Sequence, residues 1–304
     1  MSRMRRATRR SSPAAGRLPS SSPPAAEDGG PIEVGSVVVD GVTTYFRRIP
    51  GVGPPAVFVH GNPTHSEDWV PVLERMRGPT LALDLPGFGR SGRPAPDEFD
   101  YTMDGYARFF ERALASFGID EYSLAVHDWG PVALVAAQRH PERLRGLLVV
   151  NAVPLLPGYR WHRLARLWRR RGVGELSMRL WTRRALSLGL RGTRGDWSRF
   201  PPEFVDLIWD HLDAGTKRAI LSLYRSAPEP KLEEAGRELG ALRCPALVVW
   251  GLKDRYLPAR FGRAYAEAIP GAELLELPGS GHWPWRDEPE VIPRIVEVLE
   301  RGGD

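Results

Sequence analysis

Asp128 stands in Val126-His127-Asp128-Trp129-Gly130-Pro131, after a short apolar run and before a helix-forming stretch. That is the place of the serine in a G-x-S-x-G elbow, where small neighbours permit a strained strand-to-helix turn and the next N–H faces the reacting centre. An aspartate after a strand is also a common helix N-cap, and taken alone the residue fits either role. As a nucleophile, a carboxylate suits a saturated carbon, because attack there gives an alkyl ester, whereas attack at an acyl centre gives an unproductive anhydride. Plain esterase chemistry is therefore disfavoured, and no serine elbow occurs elsewhere in the chain. The ester must be hydrolysed in a second step, which needs a base. His282, in the glycine-rich stretch Pro278-Gly279-Ser280-Gly281-His282-Trp283, expected to be flexible, is available, and Asp254 follows the apolar run ending at Trp250. Each has an ordinary alternative, a turn residue for Asp254 and an unremarkable loop histidine for His282.

The elements that must position these residues are legible in the hydrophobic pattern. Asp40-Gly41 between Val37–Val39 and Thr43–Phe46 suits a tight antiparallel hairpin. Runs at Ala56 to Val59, Thr80 to Leu83, Ser123 to Val126, Gly146 to Val150, Ala246 to Trp250 and Ala272 to Leu277 read as strands buried on both faces, as in a parallel sheet. Tyr106, Phe109, Phe110, Ala113, Leu114 and Phe117 make one helical stripe between the second and third runs, completing a β-α-β unit. The predicted class is α/β, a doubly wound, mostly parallel sheet with helices on both faces and ligand sites beyond the carboxyl ends of its strands. From residue 155 to 243 the strand pattern stops and amphipathic stretches replace it, with stripes at Trp161, Leu164, Ala165, Trp168 and at Phe204, Leu207, Ile208, Leu212. We read this insertion as a helical cap, or lid. It holds Trp161, Trp168, Trp181, Trp197 and Trp209, of which at most one is expected to line a pocket, the rest gluing cap to body.

Five motifs in order carry a resemblance. They are His60-Gly61-Asn62-Pro63-Thr64, Asp84-Leu85-Pro86-Gly87-Phe88-Gly89-Arg90-Ser91, the Asp128 turn, Trp250-Gly251-Leu252-Lys253-Asp254, and Gly281-His282. From about Val34 to the C-terminus the chain resembles the α/β-hydrolase superfamily, in particular its aspartate-nucleophile branch of haloalkane dehalogenases and epoxide hydrolases. The resemblance implies a core over residues 32–154 and 244–304, a cap over 155–243, and a triad in the order nucleophile, acid, histidine, filled by Asp128, Asp254 and His282. It also implies that His282 activates water against the Asp128 ester while Asp254 orients the ring, with the backbone N–H groups of Asn62 and Trp129 receiving the oxyanion. One subgroup takes its acid from just after the strand ending at Val150, but Asn151-Ala152-Val153-Pro154 has no carboxylate, which leaves Asp254.

The leaving group divides the branch. In the resembled dehalogenases the halide is held by an indole and a carboxamide at the positions of Trp129 and Asn62, and both residue types match here. Many epoxide hydrolases carry an aromatic in place of Asn62, and use two lid tyrosines to protonate the opening ring. The lid offers Tyr159 and Tyr224, but Ile220, Leu221 and Leu223 around Tyr224 favour packing within a lid helix, and Tyr159 has no convincing counterpart. Asn62 thus favours haloalkane dehalogenation, with epoxide hydrolysis second and fluoroacetate-type dehalogenation third, Trp181 being a candidate lid donor.

Composition narrows the remaining classes. The 304 residues carry a net charge of +5, yet Arg3, Arg5, Arg6, Arg9, Arg10 and Arg17 fall in a Pro/Ser-rich tail over residues 1–31 expected to stay disordered. Arg169-Arg170-Arg171 and Arg183-Arg184 look like solvated lid surface, so no nucleic-acid partner is expected. The Arg9-Arg10 pair has no apolar stretch after it that would make an export signal, and no run of about 18 apolar residues suits a membrane span. With one cysteine, Cys244, and no phosphate loop or dinucleotide fingerprint, the expectation is a cytoplasmic hydrolase without metal or cofactor, a monomer or weak homodimer, whose partners are a small organic substrate and water.

Overall fold

The computed structural model describes residues 30–191, 193, 195 and 203–301. The expected tail, apart from its last two residues, and Trp197 lie outside them. Eight strands form one sheet: β1 (Glu33–Val39), β2 (Val42–Ile49), β3 (Ala56–Val59), β4 (Thr80–Leu83), β5 (Tyr122–Asp128), β6 (Leu144–Ala152), β7 (Ala246–Gly251) and β8 (Glu273–Leu277), in the order β1-β2-β4-β3-β5-β6-β7-β8. β1 and β2 pair antiparallel, as do β2 and β4, and all later neighbours are parallel. Asp40 (φ 50°) and Gly41 (φ 81°) both take the left-handed conformation that a two-residue hairpin requires.

Five of the six predicted strands are buried on both sides because successive side chains alternate between two cores; the sixth, β8, lies at the sheet edge, with Glu273 exposed and only Leu277 fully buried, so its expected burial on both faces is corrected. Val57, Val59, Leu124, Val126, Leu147, Val149 and Val248 face one. It is covered by helices α2 (Met103–Ser116), α3 (Pro131–Ala137) and α10 (Arg260–Ala268) through Tyr106, Phe109, Phe110, Val132, Phe261 and Tyr265. Phe58, Ala125, Leu148, Val150, Leu247 and Val249 face the other, packed by α1 (Val70–Leu73), α11 (Pro284–Asp287) and α12 (Ile292–Arg301). α2 starts where Thr102 caps Gly105 N–H at 3.0 Å and ends before Gly118 (φ 66°).

Between β6 and β7 the described residues form α4 (Arg163–Trp168), α5 (Val173–Arg179), α6 (Arg183–Arg191), α7 (Glu203–Trp209), α8 (Ala214–Ser226) and α9 (Glu229–Ala235). Trp161, read from its stripe as helical, precedes α4, because His162 caps that helix and starts it one residue later. Arg169 is not the solvated cation its run suggests. It is half-buried over the Trp161 ring and donates to the carbonyls of Tyr224 (2.5 Å) and Ala227 (2.7 Å) at the end of α8. No helix among the described residues is long and apolar enough to cross a membrane.

Candidate active site

The site gathers where the parallel strands end. β5 delivers Asp128 into a turn at φ 48°, and α3 begins three residues later, at Pro131, with Gly130 as its cap and no side-chain capping bond. Asp128 is therefore not the N-cap. Its Oδ1 instead accepts from Asn62 N–H at 2.7 Å, on the loop after β3, and the carboxylate also receives Trp129 N–H. The close approach explains Gly61, where a Cβ would lie 2.3 Å from the Asp128 Cβ. Burial pushes the Asp128 pKa up to about 6, against the pull of His282 and the two amides.

His282 Nδ1 lies 2.7 Å from Asp254 Oδ2, so Nδ1 carries the proton and the Nε2 lone pair faces Asp128 Oδ2 at 3.6 Å. Burial alone would lower the His282 pKa, but Asp254, by charge and hydrogen bond, together with Asp128, outweighs it and the pKa is raised. Asp254 serves its turn as well: Oδ1 accepts from Tyr256 N–H (2.8 Å) and Leu257 N–H (3.2 Å), leaving Oδ2 for the imidazole. The His282 loop, expected to be flexible for its glycines, is pinned. His282 N–H donates to Thr193 O (2.5 Å), His282 O receives His127 Nε2 (2.8 Å), and Gly281 N–H donates to Asp287 (2.7 Å).

Asn151 was legible only as a missing carboxylate. Buried at the end of β6 with φ 33°, it donates Nδ2–H to Asp254 Oδ2 (2.8 Å) and accepts Gly251 N–H (2.8 Å), so it holds the acid from behind. His127 and Asp287 were also missed as supports. Their partners lie across the fold, and only the HD pair at the turn could have drawn attention to the former.

A cavity of about 80 Å³ opens over the carboxylate, lined by Asn62, Asp128 and His282 from the sheet side and by aromatic residues from between β6 and β7. Tyr224 reaches it. Its ring packs on Trp129, Trp161 and Trp168, and its hydroxyl accepts a long bond of 3.4 Å from Asn62 Nδ2, so besides the helix packing that its apolar neighbours favoured it is a contact to the site, as the sequence also allowed. The stripe around it told which face of α8 is apolar, not what that face meets. Tyr159 and Trp181 also line the cavity. So do Trp161 and Trp168, three lid tryptophans instead of the expected one at most, because the start of the insertion folds back over the elbow and stacks Trp161 on Trp129 with centroids 5.4 Å apart. The Trp129 indole N–H is buried and makes no hydrogen bond of normal geometry, only a weaker interaction with the Tyr224 hydroxyl, and Asn62 Oδ1 is unpartnered.

A sequence model described as alpha/beta hydrolase fold matches residues 54–289. The chain belongs to that family. Within it, this hydrolase is similar to haloalkane dehalogenases. Haloalkane dehalogenase 2 of Mycobacterium tuberculosis is 26% identical over 275 residues, 83% of this chain and 89% of that one. The crystal structure of haloalkane dehalogenase DbeA from Bradyrhizobium elkani superposes with a TM-score of 0.76 at 25% identity, covering 90% of this hydrolase and 99% of that chain. A further relative, cis-3-alkyl-4-alkyloxetan-2-one decarboxylase of Xanthomonas campestris, is 29% identical over 286 residues, 85% of this chain and 92% of that one.

Proposed function

We propose that this hydrolase cleaves carbon–halogen bonds of small apolar haloalkanes through a covalent alkyl ester on Asp128. The observation that carries the reading is the buried indole N–H of Trp129, the residue after Asp128, which makes no hydrogen bond of normal geometry, together with the under-used Asn62 amide that lines the cavity and shares the Tyr224 hydroxyl with it. A buried donor without a well-aligned acceptor calls for an explanation, and a departing halide is an acceptor that needs such donors. Asp128 Oδ2, the oxygen not tied to Asn62 N–H, attacks the saturated carbon. The C–O bond forms as the C–X bond breaks, and halide leaves with the electron pair toward Trp129 Nε1 and Asn62 Nδ2. His282 Nε2 then takes a proton from water, whose oxygen attacks the Asp128 carbonyl carbon, and the charge on Oδ1 rests on the N–H groups of Asn62 and Trp129. Collapse frees the alcohol, protonated from His282, and regenerates the carboxylate. Net, alkyl halide and water give alcohol, halide and a proton.

The Tyr224 and Tyr159 hydroxyls favour one second reading, in which the leaving oxygen stays on the substrate. Both line the cavity, and burial, with Asp128 contributing, raises the pKa of each, which keeps them proton donors. An epoxide opened by Asp128 would take its proton from one of them. The oxetanone named for the Xanthomonas relative is another strained ring with a C–O bond at saturated carbon.

The test is His282→Ala incubated with a bromoalkane and, separately, with an epoxide, read by intact mass. General-base assistance is worth roughly 10²–10⁴ in rate, so the ester accumulates. An adduct of the alkyl group without bromine supports dehalogenation, and one of the whole epoxide supports ring opening. Labelling that survives Asp128→Asn overturns the nucleophile.

A further inference from the structure

On the cap side, the segment from Tyr159 to His162 presents donors that an alkyl chain and a halide leave unused. Trp161 Nε1–H is spent on Ala227 O at 2.9 Å. Its neighbours are not. Tyr159 Oη is buried, lines the cavity and has no hydrogen-bond partner, the residue being 4% exposed. His162 also lines the cavity, its ring packed on Tyr256 with centroids 4.5 Å apart, in the loop that Asp254 organises. His162 Nδ1 accepts Ala165 N–H at 3.2 Å, so that nitrogen keeps its lone pair and the ring proton of the neutral imidazole must sit on Nε2. Nε2–H has no partner among the described residues. Burial lowers the His162 pKa to about 4, so near pH 7 the ring is an uncharged donor.

We propose that His162 Nε2–H, with the Tyr159 hydroxyl, forms a second polar subsite that binds an oxygen acceptor of the substrate, such as a carbonyl, on a part of the substrate other than the bond that Asp128 attacks. The preferred electrophiles are then oxygen-bearing rather than plain hydrocarbon halides. Neutral donors suit a carbonyl or hydroxyl oxygen, and a site that leaves them unpaired with a plain alkyl chain discriminates against it. The inference rests on the covalent-ester reading above and specifies its substrate class.

The experiment uses the full chain carrying His282→Ala and compares labelling rates, by intact mass, of 1-bromoalkanes with bromoketones of equal length whose carbonyl lies three to six carbons from the bromine. The best ketone should label about fivefold faster than its bromoalkane, the size of one neutral hydrogen bond, and the preference should disappear when His162→Asp is added. Aspartate retains helix-capping ability but has no N–H to donate, so the comparison separates donor from cap. A ketone preference that is absent, or that survives His162→Asp, overturns the subsite while bromoalkane labelling keeps the ester reading. If neither compound labels a folded His282→Ala protein, the ester reading falls and the subsite with it.

Discussion

Asp128 is asked to be charged where charge is costly. Its carboxylate lies under an aromatic cap, and burial raises its pKa from 3.8 to about 6. Between those values the folded protein holds a proton that the unfolded chain has lost, so stability falls as pH rises from about 4 to about 6 and stays at the lower level above. Asp128→Asn should therefore unfold at higher temperature than the parent at pH 8, with the gap closing toward pH 4, which a calorimetric pH series would measure. The same titration governs chemistry: in the intact protein the first-turnover burst of bromide should fade as pH drops below about 6. Asn151 offers a second test. Without its amide, Asp254 is less firmly aimed at His282, so Asn151→Ala should lower kcat and shift the His282 limb of the pH–rate profile downward. An unchanged profile would reduce Asn151 to packing.

Elements position these groups through long-range ties. The loop after β3 meets the elbow at Gly61, and Gly61→Ala should abolish ester formation, because its Cβ has no room 2.3 Å from that of Asp128. Mass labelling alongside circular dichroism distinguishes a displaced nucleophile from an unfolded chain. Beyond His282, α11 is anchored by Asp68, which is 1% exposed and accepts Trp283 Nε1–H (2.8 Å) and Arg286 Nε–H (3.1 Å). Removing one partner of a buried ion pair strands the other, so Asp68→Ala should cost about 3 kcal/mol in urea denaturation and loosen the His282 loop. The meeting of the Gly61 loop with the Asp128 turn was implied by the motifs, but the Asp68 tie was not legible in the sequence, since Asp68 and Trp283 are 215 residues apart and neither belongs to a motif.

Across the whole molecule, two cores hold the sheet while the insertion between β6 and β7 roofs the cavity. Trp161 joins the two parts by stacking on Trp129 and bonding Ala227. Trp161→Ala should therefore raise KM more than it lowers kcat, measurable by steady-state kinetics on whichever substrate labels Asp128. His65 makes a second tie. Its Nε2 meets Leu207 O at the end of α7 (3.1 Å) beside His211, far from any motif role assigned to the loop that carries it. What the sequence determined by itself was the alternation of strands and helices, the order of the motif residues, and the identity of the groups at the strand ends, because periodicity and turn chemistry are local and each strand end must face the same side of a parallel sheet. Which cap rings would line the cavity, that Tyr224 would reach Asn62, and that Asn151, His127 and Asp68 would brace Asp254 and the His282 loop were decided only by tertiary structure. An amphipathic stripe states that a face is buried, and the partner that buries it depends on how distant segments cross.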